Sequence, residues 1–284
     1  MITGSNTIRE CENGAMQMRI NVLRMAHLVG SNGAHLGGCL SIIEIIAALY
    51  FGIMKIKPGD PTWKNRDRFI LSKGDGTLAH YTALEASGII SEDQLLTFGK
   101  NGGPLPGAAS FNPEYGIEYS NGTLGFGLSY GVGLALVSKK AVNPFSVYVL
   151  LGDGECNEGS VWEAAMSASH FKLSNLTAII DLNSMQSDGK TSDVMNVHLE
   201  NMWKGFGWDV ITVDDGHCIV QLLEAFRQPS NELKPRVIIA HTIKGKGVSF
   251  MENNNTWHHN TLSKELHEAA VAEISEMNNR HDTI

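Results

Sequence analysis

The sequence is short of cysteine, of basic charge and of long apolar runs. Its four cysteines, Cys11, Cys39, Cys156 and Cys218, form no CxxC pair. That disfavours a zinc ribbon and a disulfide scaffold, and makes a reduced, cytoplasmic location the expectation. Lys and Arg number 22 against 30 Asp and Glu, a net charge of −8. With no basic excess to hold a polyanion, neither nucleic acid nor an anionic membrane surface is an expected partner. Any phosphate group must therefore be held by local geometry or through a metal. The longest apolar stretch, Ile42 to Met54, is interrupted by Glu44 and is too short to cross a bilayer. The N-terminus shows no charged start followed by an apolar run, and no repeat or low-complexity tract is visible.

What is present is a foldable mixture: 284 residues, 43% hydrophobic, 18% charged, with 30 glycines. Helical patterns run from Thr7 to Val29, Leu78 to Ala86, Leu124 to Ser138, Val161 to Phe171, His198 to Phe206 and Ile219 to Arg227. Ser41 and Ser91 each open a capping-box pattern, Ser-x-x-Glu and Ser-x-x-Gln, predicting helix starts there. Asn101 to Gly122 reads as an ordered loop rich in Gly, Pro and Asn. Gly127, Gly131 and Ala135 recur every four residues, a small-residue face suited to close packing. Asp67–Ser72, Phe145–Leu151, Leu176–Asp181, Trp208–Val213 and Arg236–His241 read as apolar strands. Their alternation with helices predicts one α/β domain over residues 1–284, with a mostly parallel sheet covered on both faces. Such sheets bind ligands at the carboxyl ends of their strands.

At one such end lies Gly152-Asp153-Gly154-Glu155, and about 30 residues later, the length of a βαβ unit, comes Asn183. That spacing predicts Asp153 and Asn183 side by side on adjacent strands. A carboxylate and an amide oxygen are hard ligands suited to Mg²⁺ or Ca²⁺. The glycines let the backbone approach phosphate oxygens closely, and a helix expected to open near Asn157 would aim its N-terminal amides at the same charge. The alternative is that GDG is only a turn. A second triplet, Gly74-Asp75-Gly76, also follows a strand but has Leu105 where a ligand would be needed. Gly125-Phe126-Gly127 lacks the third glycine of a dinucleotide fingerprint, and Gly245-Lys246-Gly247 lacks the Ser or Thr of a Walker loop.

GDGECNEGSVWEA followed by Asn183 resembles the thiamine-diphosphate motif of the transketolase family. AHLGG at 34–38, RDRFILSKG at 66–74, the block at 116–136, IIAHTIKGKGVSF at 238–250 and Trp257-His258 extend the resemblance to the N-terminal subunit of a split transketolase, from about Met16 to Asn260. The resemblance implies the thiamine-diphosphate-binding fold. It implies Mg²⁺ (or Ca²⁺) held by Asp153, Asn183 and the carbonyl of Met185, and thiamine diphosphate met by Gly154, with Glu155 among the cofactor-binding residues. Backbone groups of Gly122 and Leu124 would meet the aminopyrimidine, His258 the diphosphate, and His35 the substrate. Glu158 and Glu163 match glutamates of the family's subunit interface, and Glu158 joins His35 and His258 as a catalytic candidate. Read without the family, the lesser alternative for His35 is a structural loop histidine, for the glutamates first-turn helix charges, and for Lys244 and Lys246 solvated loop charges. His80, His170, His241 and His259 carry no assignment, and Trp162 and Trp257 are packing residues.

In the family, the glutamate that activates the cofactor lies on a separate pyrimidine-binding domain. The resemblance therefore implies a second subunit carrying the pyrimidine-binding and C-terminal domains, in an α2β2 assembly, and sugar or sugar-phosphate substrates. Two family histidines are replaced here, by Asp75 in SKGD and by Ala108 in GAA. Both changes fall at the donor-sugar pocket and point to an unusual substrate. The expected function is transfer of a two-carbon ketol or acyl unit. The alternatives are a catalytically silent scaffold or regulatory subunit, and a carboligase resembling deoxyxylulose-phosphate synthase.

Overall fold

The computed structural model describes residues 5–229, 231 and 233–281. Among the described residues, seven strands form two sheets. They are β1 Arg68–Leu71, β2 Val147–Gly152, β3 Leu176–Leu182, β4 Met185–Gln186, β5 Gly189–Lys190, β6 Asp209–Val213 and β7 Arg236–His241. The main sheet has the order β1-β2-β3-β7-β6 and is parallel throughout. Its strands are near-continuous Val, Ile and Leu because both faces are covered. On one face lies a core that includes Met18, Ile45, Tyr81 and Leu222, carried by the helices Ser5–Leu28, Ile43–Ala48, Thr77–Ala86 and Ile219–Arg227. On the other face lies a core that includes Leu128, Ala165 and Trp203, carried by Gly127–Lys140, Gly159–His170 and Leu199–Gly205. Among the described residues no helix is long and apolar enough to cross a membrane.

The small-residue face does what its spacing requires. Gly127 lies against Ser72, a Cβ on Gly131 would sit 2.6 Å from Val149 Cγ2, and Ala135 is fully buried. The helix thus rests directly on β1 and β2. It starts at Gly127 rather than Leu124, because Gly122 and Gly125 hold positive φ (125° and 82°) and keep Leu124 in the preceding turn. The Ser91 capping box is present, with Ser91 Oγ accepting from Gln94 N and Gln94 Oε1 accepting from Ser91 N.

The Ser41 capping box is not formed. The chain makes a helical turn at Gly37–Leu40, a helix at Ile43–Ala48 and a π-turn at Leu49–Ile53. Ser41 holds helical backbone angles (φ −68°, ψ −24°) and not the extended ones of an N-cap, and its Oγ is within hydrogen-bond reach of Gly38 O and Asp181 Oδ2. Asn157 does not open a helix either. Gly154–Asn157 is a 3₁₀ turn, and the helix begins at Gly159.

Trp203 is the anchor of the second core. It is fully buried, edge-on to Trp208 at 4.7 Å and tilted on Trp162 at 5.2 Å. Trp203→Ala is expected to destabilise the chain by about 3–5 kcal/mol, read from the urea midpoint. Trp203→Phe should cost markedly less, since Trp203 Nε1 has no hydrogen-bond partner to lose. Equal losses in the two variants would contradict this packing account.

Candidate active site

β2 and β3 are neighbours, and Gly152 sits opposite Asp181 in their parallel register. The residues just beyond them, Asp153 and Asn183, therefore emerge at the same rim of the sheet. Asp153 Oδ1 accepts from Gly154 N (2.8 Å) and Oδ2 accepts from Ser184 N (2.6 Å), with Ser184 itself at φ 62°. Asn183 Nδ2 donates to Asp181 Oδ2 (2.7 Å) and its Oδ1 accepts from Met185 N (3.0 Å). Burial, reinforced by the neighbouring Asp181, pushes the Asp153 carboxyl up to about 7. A carboxylate held in such a place is one that a cation would relieve. Among the described residues no three His, Cys, Asp or Glu side chains converge as a metal centre. A cation here would rest on one carboxylate, one amide oxygen and main-chain carbonyls, the donor set of a hard divalent ion that keeps other positions open.

These groups line a cavity of about 900 Å³. It gathers every site candidate read from the sequence: His35, Gly122, Leu124, Asp153, Gly154, Glu155, Glu158, Asn183, Met185 and His258. Asn157 Oδ1 and Gln186 Oε1 are buried there with no protein hydrogen-bond partner, so two amides lining the cavity keep polar capacity open to water or a ligand. A Cβ at Gly154 would lie 2.9 Å from Gln186 Cβ, too close without a shift of the β4 chain, so glycine suits this position.

Three loops meet opposite the metal ligands. Ala34 bridges Asn260, and Gly245 N donates to Gly37 O. This brings His35 edge-on to His258 (5.3 Å) and His259 (4.6 Å). Lys244 Nζ donates to His258 Nδ1 at 3.0 Å. Burial, helped by the Lys244 ammonium, holds His258 down at about 4, and burial also lowers His35 although Asp75 opposes it. Both imidazoles are therefore neutral near pH 7, and with Lys244 on its Nδ1, His258 is left to donate from Nε2.

Some candidates have narrower roles than their position implied. Glu155 lines the cavity, but its carboxylate accepts from Ser72 Oγ, Gly125 N (2.8 Å) and Gly152 N (3.1 Å), tying the loop after β2 to the Gly125 turn. Glu158 is exposed at the cavity edge as the residue preceding the helix Gly159–His170, and Glu163 is exposed one turn further on.

The second triplet, Gly74-Asp75-Gly76, which lacks a downstream ligand, opens into this cavity through Gly74 and Asp75, because β1 pairs with β2. Asp75 turns toward Gly38, with Lys73 Nζ 3.9 Å from Oδ2. Ala108 lines the same cavity, near Gly122. Sequence reasoning missed Lys73 and Asp181 and left Lys244 as solvated. All three are buried, and Lys73 Nζ donates to Asp181 Oδ2 at 2.6 Å. The available signal was a charged residue at the end of an otherwise apolar strand, which a solvated face would not require.

Residues 13–278 match the family described as "Transketolase, thiamine diphosphate binding domain". Among curated proteins, the chain is 42% identical over 270 residues to the first of the named subunits of the apulose-4-phosphate transketolase of Phocaeicola vulgatus, covering 94% of this chain and 95% of that protein. It is 42% identical over 264 residues to the 6-deoxy-6-sulfo-D-fructose transketolase subunit SqwG of a Clostridium species, covering 91% and 96%. A solved transketolase from Campylobacter jejuni superposes with a TM-score of 0.82 at 27% identity, covering 95% of this chain and 43% of that one. The chain thus spans less than half the length of that transketolase.

Proposed function

Since this chain belongs to the transketolase family, we propose that it is the diphosphate-binding subunit of a two-chain, thiamine-diphosphate-dependent enzyme that transfers a two-carbon ketol unit between sugar-type substrates. The observation that carries this reading is the meeting of Asp153 and Asn183 at the ends of adjacent strands, in a cavity with two unsatisfied amides. Asp153, Asn183 and the Met185 carbonyl would hold Mg²⁺, and Gly154, with His258 across the cavity, would hold the diphosphate. Thiamine diphosphate, when bound, supplies an electron sink for carbon–carbon bond cleavage and formation. The chain's own part is to bind and orient that group and to meet substrate oxygens through the neutral His35.

Support for a partner chain comes from the relatives, which are themselves named as subunits. It comes also from the apolar side chains around the cavity mouth and the adjoining helices. Leu124, Phe126, Tyr130 and Met166 are 41%, 53%, 39% and 51% exposed, a stretch of sequence and helix face suited to a protein interface. Four free cysteines fit a reducing compartment.

The relatives are named for apulose 4-phosphate and 6-deoxy-6-sulfo-D-fructose, and this cavity carries its own pattern at Asp75 and Ala108. Ala108 leaves an apolar notch where a sugar hydroxyl would find no donor, and a buried hydroxyl without a partner binds poorly. Ordinary ketose phosphates are expected to be poor donors for the complex. Introducing Ala108→His together with Asp75→His is expected to raise kcat/KM for such a donor by about ten-fold or more, the scale of one recovered hydrogen bond. High wild-type activity on a simple ketose phosphate, with no gain in the double variant, would defeat the unusual-substrate part of the reading.

A further inference from the structure

We propose that Asp181 is the positioning residue of the cation site: it fixes the orientation of the Asn183 amide, so that the amide oxygen, not its nitrogen, is offered to the metal. This rests on the metal-binding reading above. Asp181 is fully buried in the middle of the sheet's carboxyl rim. Its Oδ2 accepts from Ser41 Oγ (2.8 Å), Lys73 Nζ (2.6 Å) and Asn183 Nδ2 (2.7 Å), and its Oδ1 accepts from Thr242 Oγ1. Three segments distant in sequence therefore converge with Asn183 on one carboxylate.

A primary amide has a donor end and an acceptor end of nearly equal shape, and only the acceptor end can ligate a cation. Asn183 has Asp181 on its nitrogen and Met185 N on its oxygen, so a single orientation satisfies both. The oxygen retains a second lone pair. Asp181 Oδ2 already gathers donors from Ser41 Oγ and Lys73 Nζ, so the place it offers to the Asn183 amide is that of a further donor. A reversed amide would set its oxygen against Asp181 Oδ2 and its N–H₂ against Met185 N–H, losing both hydrogen bonds. Groups behind a metal ligand commonly matter to affinity in this way.

The test measures Mg²⁺-dependent thiamine-diphosphate affinity by calorimetry on the assembled complex, with thermal unfolding alongside. Asp181→Asn is expected to weaken that affinity by about 10–100-fold. Asp181→Asn combined with Asn183→Asp restores the donor–acceptor pair in reverse and is expected to recover most of the loss, which a merely structural role would not do. Thr242→Val removes a donor to Asp181 without touching Asn183, and is expected to lower the unfolding temperature while leaving affinity within about three-fold, a sub-kcal/mol effect. Asn183→Asp alone covers the case in which Asp181→Asn fails to fold. A site indifferent to Asp181 would gain affinity from the extra anionic ligand, whereas the present geometry sets the new carboxylate against Asp181 and weakens binding.

Wild-type affinity in Asp181→Asn, no recovery in the double variant, or tighter binding by Asn183→Asp would each overturn the inference. Absence of Mg²⁺-dependent cofactor binding in the unaltered complex would instead overturn the reading of the site, and this inference with it.

Discussion

Asp153→Ala is expected to abolish Mg²⁺-dependent binding of thiamine diphosphate in the assembled complex. On the proposed reading of the site, this side chain is the one anionic ligand of the cation. It is buried, fixed by Gly154 N and Ser184 N, and faces the field of Asp181. Mg²⁺ gives up its water reluctantly and is usually held by one or two carboxylates plus phosphate oxygens. Deleting the only carboxylate of the set removes the charge that anchors it, and an affinity loss of about 100-fold or more follows, equivalent to at least ~2.7 kcal/mol.

The pH dependence has a definite sign. Metal binding requires the ionised carboxylate, and burial raises the Asp153 pKa to about 7. Protons therefore compete with the metal below about pH 7, so cofactor affinity should rise with pH up to that point and then level off. Calorimetry across pH 5.5 to 8.5, a span set about that pKa by roughly 1.5 units on each side, measures both effects. Equal affinity for Asp153→Ala, or a pH-independent wild type, would show that the cation sits elsewhere.

Mixing experiments are expected to give the second large effect. On the proposed two-chain reading, this 284-residue polypeptide supplies the diphosphate side of the site, and the group that activates the cofactor comes with its partner. Alone, it should not accelerate exchange of the thiazolium ring proton beyond the rate in buffer. With the partner added, exchange followed by proton NMR should accelerate by about 10²–10⁴-fold, the range of positioned general acid–base catalysis. The same mixture should protect the exposed Phe126 and Tyr130 from solvent. Rapid exchange by the isolated chain would refute the split-site reading.

Much of the fold was legible because its elements carry their own signals. The five apolar strands read from the sequence are the five strands of the main sheet, shifted by two residues at most, and Arg236–His241 and Ile219–Arg227 match residue for residue. A strand buried on both faces needs an unbroken apolar run, and an amphipathic helix needs its stripe, so each is written locally. The pairing of Asp153 with Asn183 was legible for a similar reason: a βαβ connection of that length returns the chain to the neighbouring strand. The hairpin of β4 and β5, two residues per strand, was too short to leave such a pattern.

What sequence could not determine was which groups would face each other across elements. Ser41 reads as a helix cap, yet its hydroxyl goes to Asp181. Lys244 reads as a solvated charge, yet it is buried against His258. Local patterns record what a residue does for its own helix or strand. The Asp181 carboxylate has no such pattern, because Ser41, Lys73 and Thr242 reach it from segments that only the folded sheet brings together. The cost of burying a charge, offset only by partners that tertiary structure supplies, is what decided where those side chains went.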